Sequence, residues 1–141
     1  MKVMVIVKGN TAYENGQMAD AELLTAMGKY NEDLVAAGIM VAGEGIKPTR
    51  DGARVKFSGT NREVERGPFG DPSQTIAGFW LWNVKDLDEA IAWVKKAPNP
   101  MHEDSEIDIR PIFSAEDFAD ADPTGEIMAR EAELREKLGQ A

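Results

Sequence analysis

The sequence predicts an α+β fold, in which an antiparallel sheet carries helices on one face, followed by a C-terminal helix. Three observations predict it. Short segments rich in β-branched and aromatic residues alternate along the chain with segments whose apolar residues recur at helical spacing. The length of 141 residues suits one domain, with or without a tail. A composition of 43% hydrophobic and 29% charged residues argues against collagen-like, coiled-coil and disordered classes.

The first predicted strand covers residues 2–8, whose sequence is KVMVIVK. β-branched residues dominate this segment, as is typical of strands. Successive side chains of a strand point to opposite faces, so the three valines share one face while Met4 and Ile6 share the other. Because both faces are apolar, we expect both to be covered.

The first predicted helix covers residues 20–37, after a loop over residues 10–16. Asp20 is a favourable N-cap, and Gly38 stands where a helix often ends in a left-handed residue. One helical stripe collects four apolar residues, namely Leu23, Met27, Tyr30 and Leu34.

A second strand is predicted over residues 39–45, followed by a β-hairpin. The hairpin strands are residues 53–58, which alternate between apolar and charged, and a shorter segment near residues 63–65. The residues after it, Gly67 to Pro72, are rich in Gly and Pro and therefore predict a rigid connection.

The second half of the chain repeats the strand–helix–strand order. Residues 77–84, AGFWLWNV, form the most apolar predicted strand, and again both faces require burial. A helix follows from the N-cap Asp86 to Lys96 and ends before Pro98. The last strand covers residues 106–113, where Pro111 indicates a sheet edge or a strand end.

The segment after residue 118 is separated from this domain in the prediction. Residues 119–125 are acidic, contain Pro and Gly, and predict a linker, and residues 126–138 predict a helix with a thin apolar stripe. We therefore expect a domain over residues 1–118 and an acidic linker with a C-terminal helix over residues 119–141. That helix either docks on the domain or on a partner, or frays.

The order of elements predicts a ferredoxin-like sandwich with the hairpin inserted between its two halves. Such a sheet has helices on one face only, whereas two of its strands are apolar on both faces. A partner's sheet is the simplest cover, which predicts a homodimer with a closed or nearly closed barrel. The C-terminal helix is the alternative cover.

Charge and composition exclude several classes of function. The net charge is −9, and residues 103–141 hold −8 of it, from 12 acidic and four basic residues. Such a surface repels phosphate backbones and anionic lipids, so we expect neither nucleic-acid nor membrane binding. The first residues contain no signal peptide, and no apolar segment is long enough to span a bilayer, so we expect a cytoplasmic protein.

The same counts limit the chemistry that the chain can perform. The absence of Cys excludes disulfides and thiolate catalysis, and a single His excludes a multi-His metal site. No dinucleotide, Walker A, hydrolase or zinc-protease motif is present. We therefore expect no metal and no bound cofactor.

Six residues are candidates for a ligand site. Glu44 has a glycine on each side and is either a general base or a surface partner of a nearby cation. Arg54 and Arg110 lie on polar faces of alternating strands, where they either converge on an anionic or carbonyl-bearing ligand or are solvent-exposed or in surface salt bridges. His102 is either an acid or base or an ordinary loop residue. Two aromatic residues, Phe69 and Trp80, are either pocket walls or part of the core.

Several segments over residues 1–118 resemble the YCII-related superfamily, in particular its DGPF-domain branch. They are KVMVIVK, AMGKYNEDLVAAGIMVAGEGIKP, GARVKFSG, RGPFG, AGFWLWNVKDLDEAIAWVKKAPNP and SEIDIRPIF. The four-residue motif that names the branch stands here as Arg66-Gly67-Pro68-Phe69, with Arg in place of Asp. The resemblance implies a dimeric α/β barrel of ferredoxin-like subunits. It implies no assigned activity, and some members of the branch are encoded beside or fused to sigma factors.

The resemblance also implies where another branch of the superfamily carries a catalytic pair, a His on the first helix and an Asp near the end of the second. The corresponding positions here are Met27 and Ala97, neither of which can transfer a proton. We therefore expect that dyad chemistry to be absent from this chain.

Two functions follow as hypotheses. In the first, the protein binds a small polar or aromatic metabolite in a barrel pocket, with or without cofactor-free acid–base chemistry. In the second, it is a non-catalytic regulatory or interaction module whose acidic C-terminal helix engages a partner, such as a transcription factor. The paired arginines and the Gly-flanked Glu44 favour the first.

Overall fold

A computed structural model describes residues 1–140, and the chain forms two compact units, residues 1–111 and the chain from Ile112 onward. In chain order the elements of the first unit are β1 (Lys2–Lys8), α1 (Thr11–Glu14), α2 (Ala21–Ala36), β2 (Met40–Gly45), β3 (Ala53–Ser58), β4 (Asn61–Arg66), β5 (Ile76–Asn83), α3 (Leu87–Val94) and β6 (Ile107–Pro111). The second unit contains a 3-10 turn (Ala115–Phe118) and α4 (Glu126–Lys137). No helix within residues 1–140 is long and apolar enough to cross a membrane.

The first unit is built on a four-stranded antiparallel sheet in the order β2-β5-β1-β6. Helix α2 connects β1 to β2, and α3 connects β5 to β6, so each half is a strand–helix–strand unit. Strands β3 and β4 form a separate two-stranded sheet between the halves, here called the hairpin. This topology confirms the predicted ferredoxin-like α+β fold with an inserted hairpin.

The core lies between the sheet and its helices. Val3, Val5 and Trp82 are fully buried on this side, together with Leu34 of α2. Capping aspartates fix the starts of α2 and α3. The Asp20 and Asp86 carboxylates accept hydrogen bonds from backbone N–H groups three residues later, both at 2.9 Å. The core is therefore formed by the alternate residues of β1 and β5 that the sequence places on one face.

Polar atoms in this core are mostly bonded. The indole nitrogen of Trp80 donates to Oδ1 of Asn31 at 2.9 Å, and the hydroxyl of Tyr30 donates to the carbonyl oxygen of Trp93 at 2.6 Å. The rings of Tyr30 and Trp80 meet edge to face, with centroids 5.8 Å apart. Within residues 1–140, Nε1 of Trp82 is the buried side-chain polar atom left without a partner.

The opposite face of the sheet, here called the open face, carries a half-buried apolar stripe. Met4 lies opposite Leu81, and Ile6 lies opposite Phe79, across the β1–β5 pair. Helices α2 and α3 pack on the other face, where their apolar residues join the core.

The structure departs from the sequence prediction at one element near the N-terminus. Residues 10–16 were expected to form a loop, but α1 lies within them, with Asn10 accepting a hydrogen bond from the backbone N–H of Tyr13 at 2.7 Å. The loop prediction was wrong there because a four-residue helix is too short to show apolar periodicity. Elsewhere the predicted and observed ends differ by at most two residues, which is usual for element boundaries.

The second unit is stabilised by its own contacts. The rings of Phe113 and Phe118 lie 5.2 Å apart. The buried carboxylate of Asp122 accepts hydrogen bonds from the backbone N–H groups of Ile127 and Met128, at 3.2 and 2.9 Å. A side chain of the predicted linker thus caps the first turn of α4.

Candidate functional site

A cavity of about 490 Å³ lies within the first unit, at the end of β1. Three segments enclose it, namely the loop between α1 and α2, the segment that follows β2, and the loop that precedes β6. Its walls are mainly apolar and include Val7, Met18, Ile46, Pro48, Ala77 and Met101. The volume suits a single small organic molecule, because ligand pockets usually range from about 300 to 1,000 Å³.

The polar groups of this cavity are cationic in balance. Lys47, Arg50 and His102 line it, and Asp51 is the one carboxylate among the lining residues. The chain as a whole has a net charge of −9, so this local excess of cations is contrary to the average surface. An anionic or electron-rich ligand would therefore be favoured here over a cation.

Arg50 has a defined place in the cavity wall. It lies in a 3-10 turn (Thr49–Asp51), and a methyl group built on Gly16 would lie only 2.6 Å from its Nη2 atom. Gly16 also has a φ of +95°, a conformation that side-chain-bearing residues rarely adopt. The glycine therefore makes room for the guanidinium against the backbone of the α1–α2 loop.

A hydrogen-bond chain fixes the turn that carries Arg50. The carboxylate of Glu14 accepts from the Thr49 backbone N–H at 3.1 Å and from the Thr49 hydroxyl at 2.6 Å. The Thr49 hydroxyl oxygen in turn accepts from the backbone N–H of Phe69 at 3.2 Å. Helix α1, the Arg50 turn and the segment after the hairpin are thus tied to one another.

Packing explains why the RGPF segment has a glycine at position 67. A methyl group at Gly67 would lie 1.7 Å from the carbonyl oxygen of Thr49, which no side chain can tolerate without movement of the backbone. The backbone N–H of Gly67 also donates to the carbonyl oxygen of Gly52 at 2.9 Å. Glycine is required here because the segment packs directly on the turn that carries Arg50.

Tyr13 supports the cavity wall from the side of α1. Its hydroxyl donates a hydrogen bond to the carbonyl oxygen of Ile46. Burial, and in second place the neighbouring Glu14 carboxylate, raise the pKa of the Tyr13 phenol above its ordinary value. Tyr13 therefore stays protonated near neutral pH and braces the segment after β2.

His102 reaches the cavity from a loop that is well ordered by its own hydrogen bonds. Oδ1 of Asn99 accepts from the Met101 backbone N–H at 3.0 Å and from the Ser105 hydroxyl at 2.6 Å. Nδ2 of Asn99 donates to the carbonyl oxygen of Glu103 at 3.0 Å.

Comparison with known proteins identifies the first unit. The family model of the YCII-related domain matches residues 1–115. The chain belongs to the YCII-related family. None of the curated proteins matches the chain.

A solved structure of similar fold is a 5-chloro-2-hydroxyhydroquinone dehydrochlorinase (TftG) from Burkholderia phenoliruptrix AC1100, in complex with 2,5-dihydroxybenzoquinone. It is 13% identical to this YCII-related chain, and the match covers 82% of this chain and 98% of the other with a TM-score of 0.44.

The six candidate residues from the sequence lie in four places of the YCII-related domain. His102 is the one that lines the cavity. Arg54 and Phe69 lie together near the base of the hairpin, with the guanidinium 4.5 Å from the ring centroid. Trp80 lies in the core.

Glu44 and Arg110 lie on the open face, at opposite edges of the sheet. Glu44 is opposite Phe79 on β2, and Arg110 is opposite Met4 on β6. Strands β5 and β1 lie between them, which separates the two backbones by about 14 Å at the usual spacing of strands. Within one chain Glu44 and Arg110 therefore lie at opposite edges of one face, and Arg54 lies apart from both, at the base of the hairpin.

Sequence reasoning missed Arg50, Lys47 and Tyr13 as cavity residues. The available signal was the segment Lys47 to Gly52, which combines Pro, Thr, Asp and Gly with two cations in a turn. Nothing in the sequence shows that this turn meets the loop of His102. Within residues 1–140, no three His, Asp or Glu side chains are grouped so as to hold a metal ion.

Proposed function

We propose that this YCII-related domain binds a small organic molecule with an apolar or aromatic body in the cavity between α1, the Arg50 turn and the His102 loop. The observation that carries this proposal is a cavity of about 490 Å³ whose walls are apolar and whose polar groups are few. Small-molecule sites generally combine these two features. One substituted aromatic ring fits the volume.

Met18 allows a test that leaves the fold intact. It lines the cavity and yet is 80% exposed, so its replacement removes little core packing. We expect wild type to bind at least one of phenol, benzyl alcohol and benzoate in isothermal titration calorimetry. Met18→Glu should weaken the binding of benzyl alcohol about tenfold, because a carboxylate at the wall must be desolvated against the apolar ligand.

Leu24→Glu is the matched control for that test. Leu24 is 63% exposed on α2 and does not line the cavity, so the same apolar-to-acidic change should leave the affinity unchanged. Equal weakening by both variants, or no binding of any of the three compounds by wild type, contradicts the proposed site.

Acid–base chemistry without a cofactor is the finer form of this proposal, with His102 as the proton acceptor. The probe is 4-nitrophenol, whose absorbance distinguishes the phenol from the phenolate. We expect the bound probe to be more phenolate-like with wild type than with His102→Gln, because only an imidazole takes up the proton. An identical spectrum with both proteins would remove His102 from this role.

A homodimer formed through the open face is the assembly that we propose, with the DGPF-type subunits packed sheet to sheet. The half-buried stripe of Met4, Ile6, Phe79 and Leu81 supports it, because a contiguous apolar strip on a sheet is costly to leave in water. Sedimentation equilibrium tests it. Leu81→Asp should produce monomers, whereas Asn83→Asp, on the same face of β5 but exposed, should leave the dimer.

A second candidate function is a non-catalytic interaction module, linked or not to a sigma factor, in which α4 engages a partner. The exposed apolar side chains of α4, at Ile127, Leu134 and Leu138, favour it. The chain from Ile112 onward holds eight acidic and three basic residues, which favours a basic partner. Leu134→Glu should abolish capture of that partner by the full chain, and Ala132→Glu is the control in the same helix.

A further inference from the structure

We infer that Arg50 makes the cavity selective for a ligand that carries a carboxylate, or another planar oxyanion of the same geometry, beside its apolar body. This inference rests on the proposed function, because it specifies the ligand of that same cavity. The observation behind it is a guanidinium that lies in the wall of an apolar cavity and has no carboxylate of residues 1–140 within 4.0 Å.

Arg50 shares the lack of an anionic partner with the two hairpin arginines, Arg54 and Arg62, but it is the arginine that lines the cavity. The guanidinium of Arg54 stacks on Phe69 at 4.5 Å, and that of Arg62 stacks on Phe57 at 4.5 Å and donates to the carbonyl oxygens of Gly59 and Asn61. For Arg50, as for these two, no carboxylate oxygen of residues 1–140 lies within 4.0 Å of a side-chain nitrogen.

The carboxylates nearest to Arg50 along the chain and in space are not available to it. Glu14, which contacts the same turn, already accepts two hydrogen bonds from Thr49. Asp51 adjoins Arg50 and lines the cavity, but its carboxylate forms no ion pair with the guanidinium. The cavity wall therefore carries two cations, Arg50 and Lys47, against the single carboxylate of Asp51.

The guanidinium is carried by an anchored turn, while the side chain itself is exposed. It lies against Gly16, and its turn is anchored through Thr49 to Glu14 and to the backbone N–H of Phe69. A guanidinium offers two parallel N–H groups that match the two oxygens of a carboxylate.

The apolar walls of the cavity favour a ligand with an aromatic ring. Met18, Ile46 and Met101 supply the surface for a ring, and Arg50 supplies the site for one anionic group at the edge of that ring. An aryl carboxylate combines both features. Because Arg50 is exposed, its contribution to affinity should be moderate and should decrease as salt rises.

Benzoate and benzyl alcohol are suitable probes, since they share a ring and differ in charge. Isothermal titration calorimetry at low ionic strength should show that wild type binds benzoate about tenfold more tightly than benzyl alcohol. Arg50→Gln should weaken benzoate about tenfold and leave benzyl alcohol unchanged. Arg50→Lys should give an intermediate affinity for benzoate, because it keeps the charge without the fork.

Arg62→Gln is the matched control, because it removes the same charge from the hairpin, outside the cavity lining. It should retain the preference for benzoate. If wild type binds both probes equally, or if Arg50→Gln weakens both to the same extent, the inference is overturned while the proposed site remains. If wild type binds neither probe, the inference is overturned, and the proposed function is overturned with it when phenol is not bound either.

Discussion

The four-stranded sheet and the hairpin are both antiparallel, but they are stabilised in different ways. In the sheet, alternate residues of β1 and β5 are buried against helices, and Trp82 has no exposed surface. In the hairpin every residue of β3 is exposed, including Phe57 at 72%. Because an isolated two-stranded hairpin is at best marginally stable in water, this one depends on contacts at its base and between its strands.

The base of the hairpin is the link between these two regions. The Gly67 N–H bonds to Gly52, and the Phe69 N–H bonds to Thr49, so the residues that flank the hairpin also hold the turn of Arg50. The sheet therefore determines global stability, whereas the hairpin base determines the geometry of one cavity wall. Amide hydrogen exchange should accordingly be faster in β3 and β4 than in β1 and β5.

Truncation of the core should have the largest effect. Leu34→Ala removes a fully buried side chain of α2 and leaves a cavity, which should lower the free energy of unfolding by about 3 kcal/mol. Val64→Ala in the hairpin, where Val64 is 63% exposed, should lower it by less than about 0.5 kcal/mol. Urea denaturation measures both, and equal losses would contradict the distinction between sheet and hairpin.

Disruption of the hairpin base should have the next largest effect. Gly67→Ala places a methyl group against the Thr49 carbonyl oxygen, and the resulting displacement should cost about 2 kcal/mol. It should also weaken ligand binding, because the Arg50 turn must move. Gly45→Ala is the control, since a methyl group there meets no atom within 4 Å and should change stability by less than about 0.5 kcal/mol. If Gly67→Ala and Gly45→Ala lower the free energy of unfolding equally, the hairpin base is not packed as described.

The pH dependence of stability should report the buried phenol of the core. Burial raises the pKa of Tyr30 far above its ordinary value, while the unfolded phenol ionises near pH 10. Above pH 10 the native state thus keeps a proton that the unfolded state loses. The contribution of Tyr30 to the free energy of unfolding is therefore fully present below pH 10 and decreases as pH rises above it.

Tyr30→Phe separates that effect from other titrations. The variant should lose about 1 kcal/mol at neutral pH with the hydrogen bond to Trp93, and it should be less sensitive to pH above 10 than wild type. Urea denaturation at pH 7 and at several values above 10 measures both quantities. If the free energies of unfolding of the two proteins change in parallel above pH 10, the native state does not keep the Tyr30 phenol protonated.

The strands and helices of this molecule could be predicted because their local sequence patterns agree with the tertiary structure. Strand-forming residues on alternating faces identified the strands, and apolar residues at helical spacing identified α2 and α3. Asp20, Asp86 and Gly38 marked helix ends that the structure shows, with Gly38 at a φ of +73°. The element order then determined the sheet topology, because short connections leave few alternatives.

The cavity was not predictable in the same way. Its walls come from three loops that are distant in sequence, and their meeting depends on how the sheet places the end of β1. Arg50 was part of a turn without periodicity, and its significance depends on Gly16 and on the fact that Glu14 is already engaged by Thr49. These are tertiary contacts between residues more than 30 positions apart, which a single sequence does not show.

The smallest effect is expected on the charged face of the hairpin. Nζ of Lys56 lies 2.9 Å from Oε2 of Glu65, and this hydrogen-bonded ion pair lowers the pKa of the Glu65 carboxyl. Both side chains are exposed, so water and salt screen the pair and Lys56→Gln should leave the unfolding midpoint unchanged. In the same variant an NMR titration should show the Glu65 pKa raised toward its ordinary value. A clear loss of stability would instead mean that cross-strand pairs, and not the base at Gly67, hold the hairpin together.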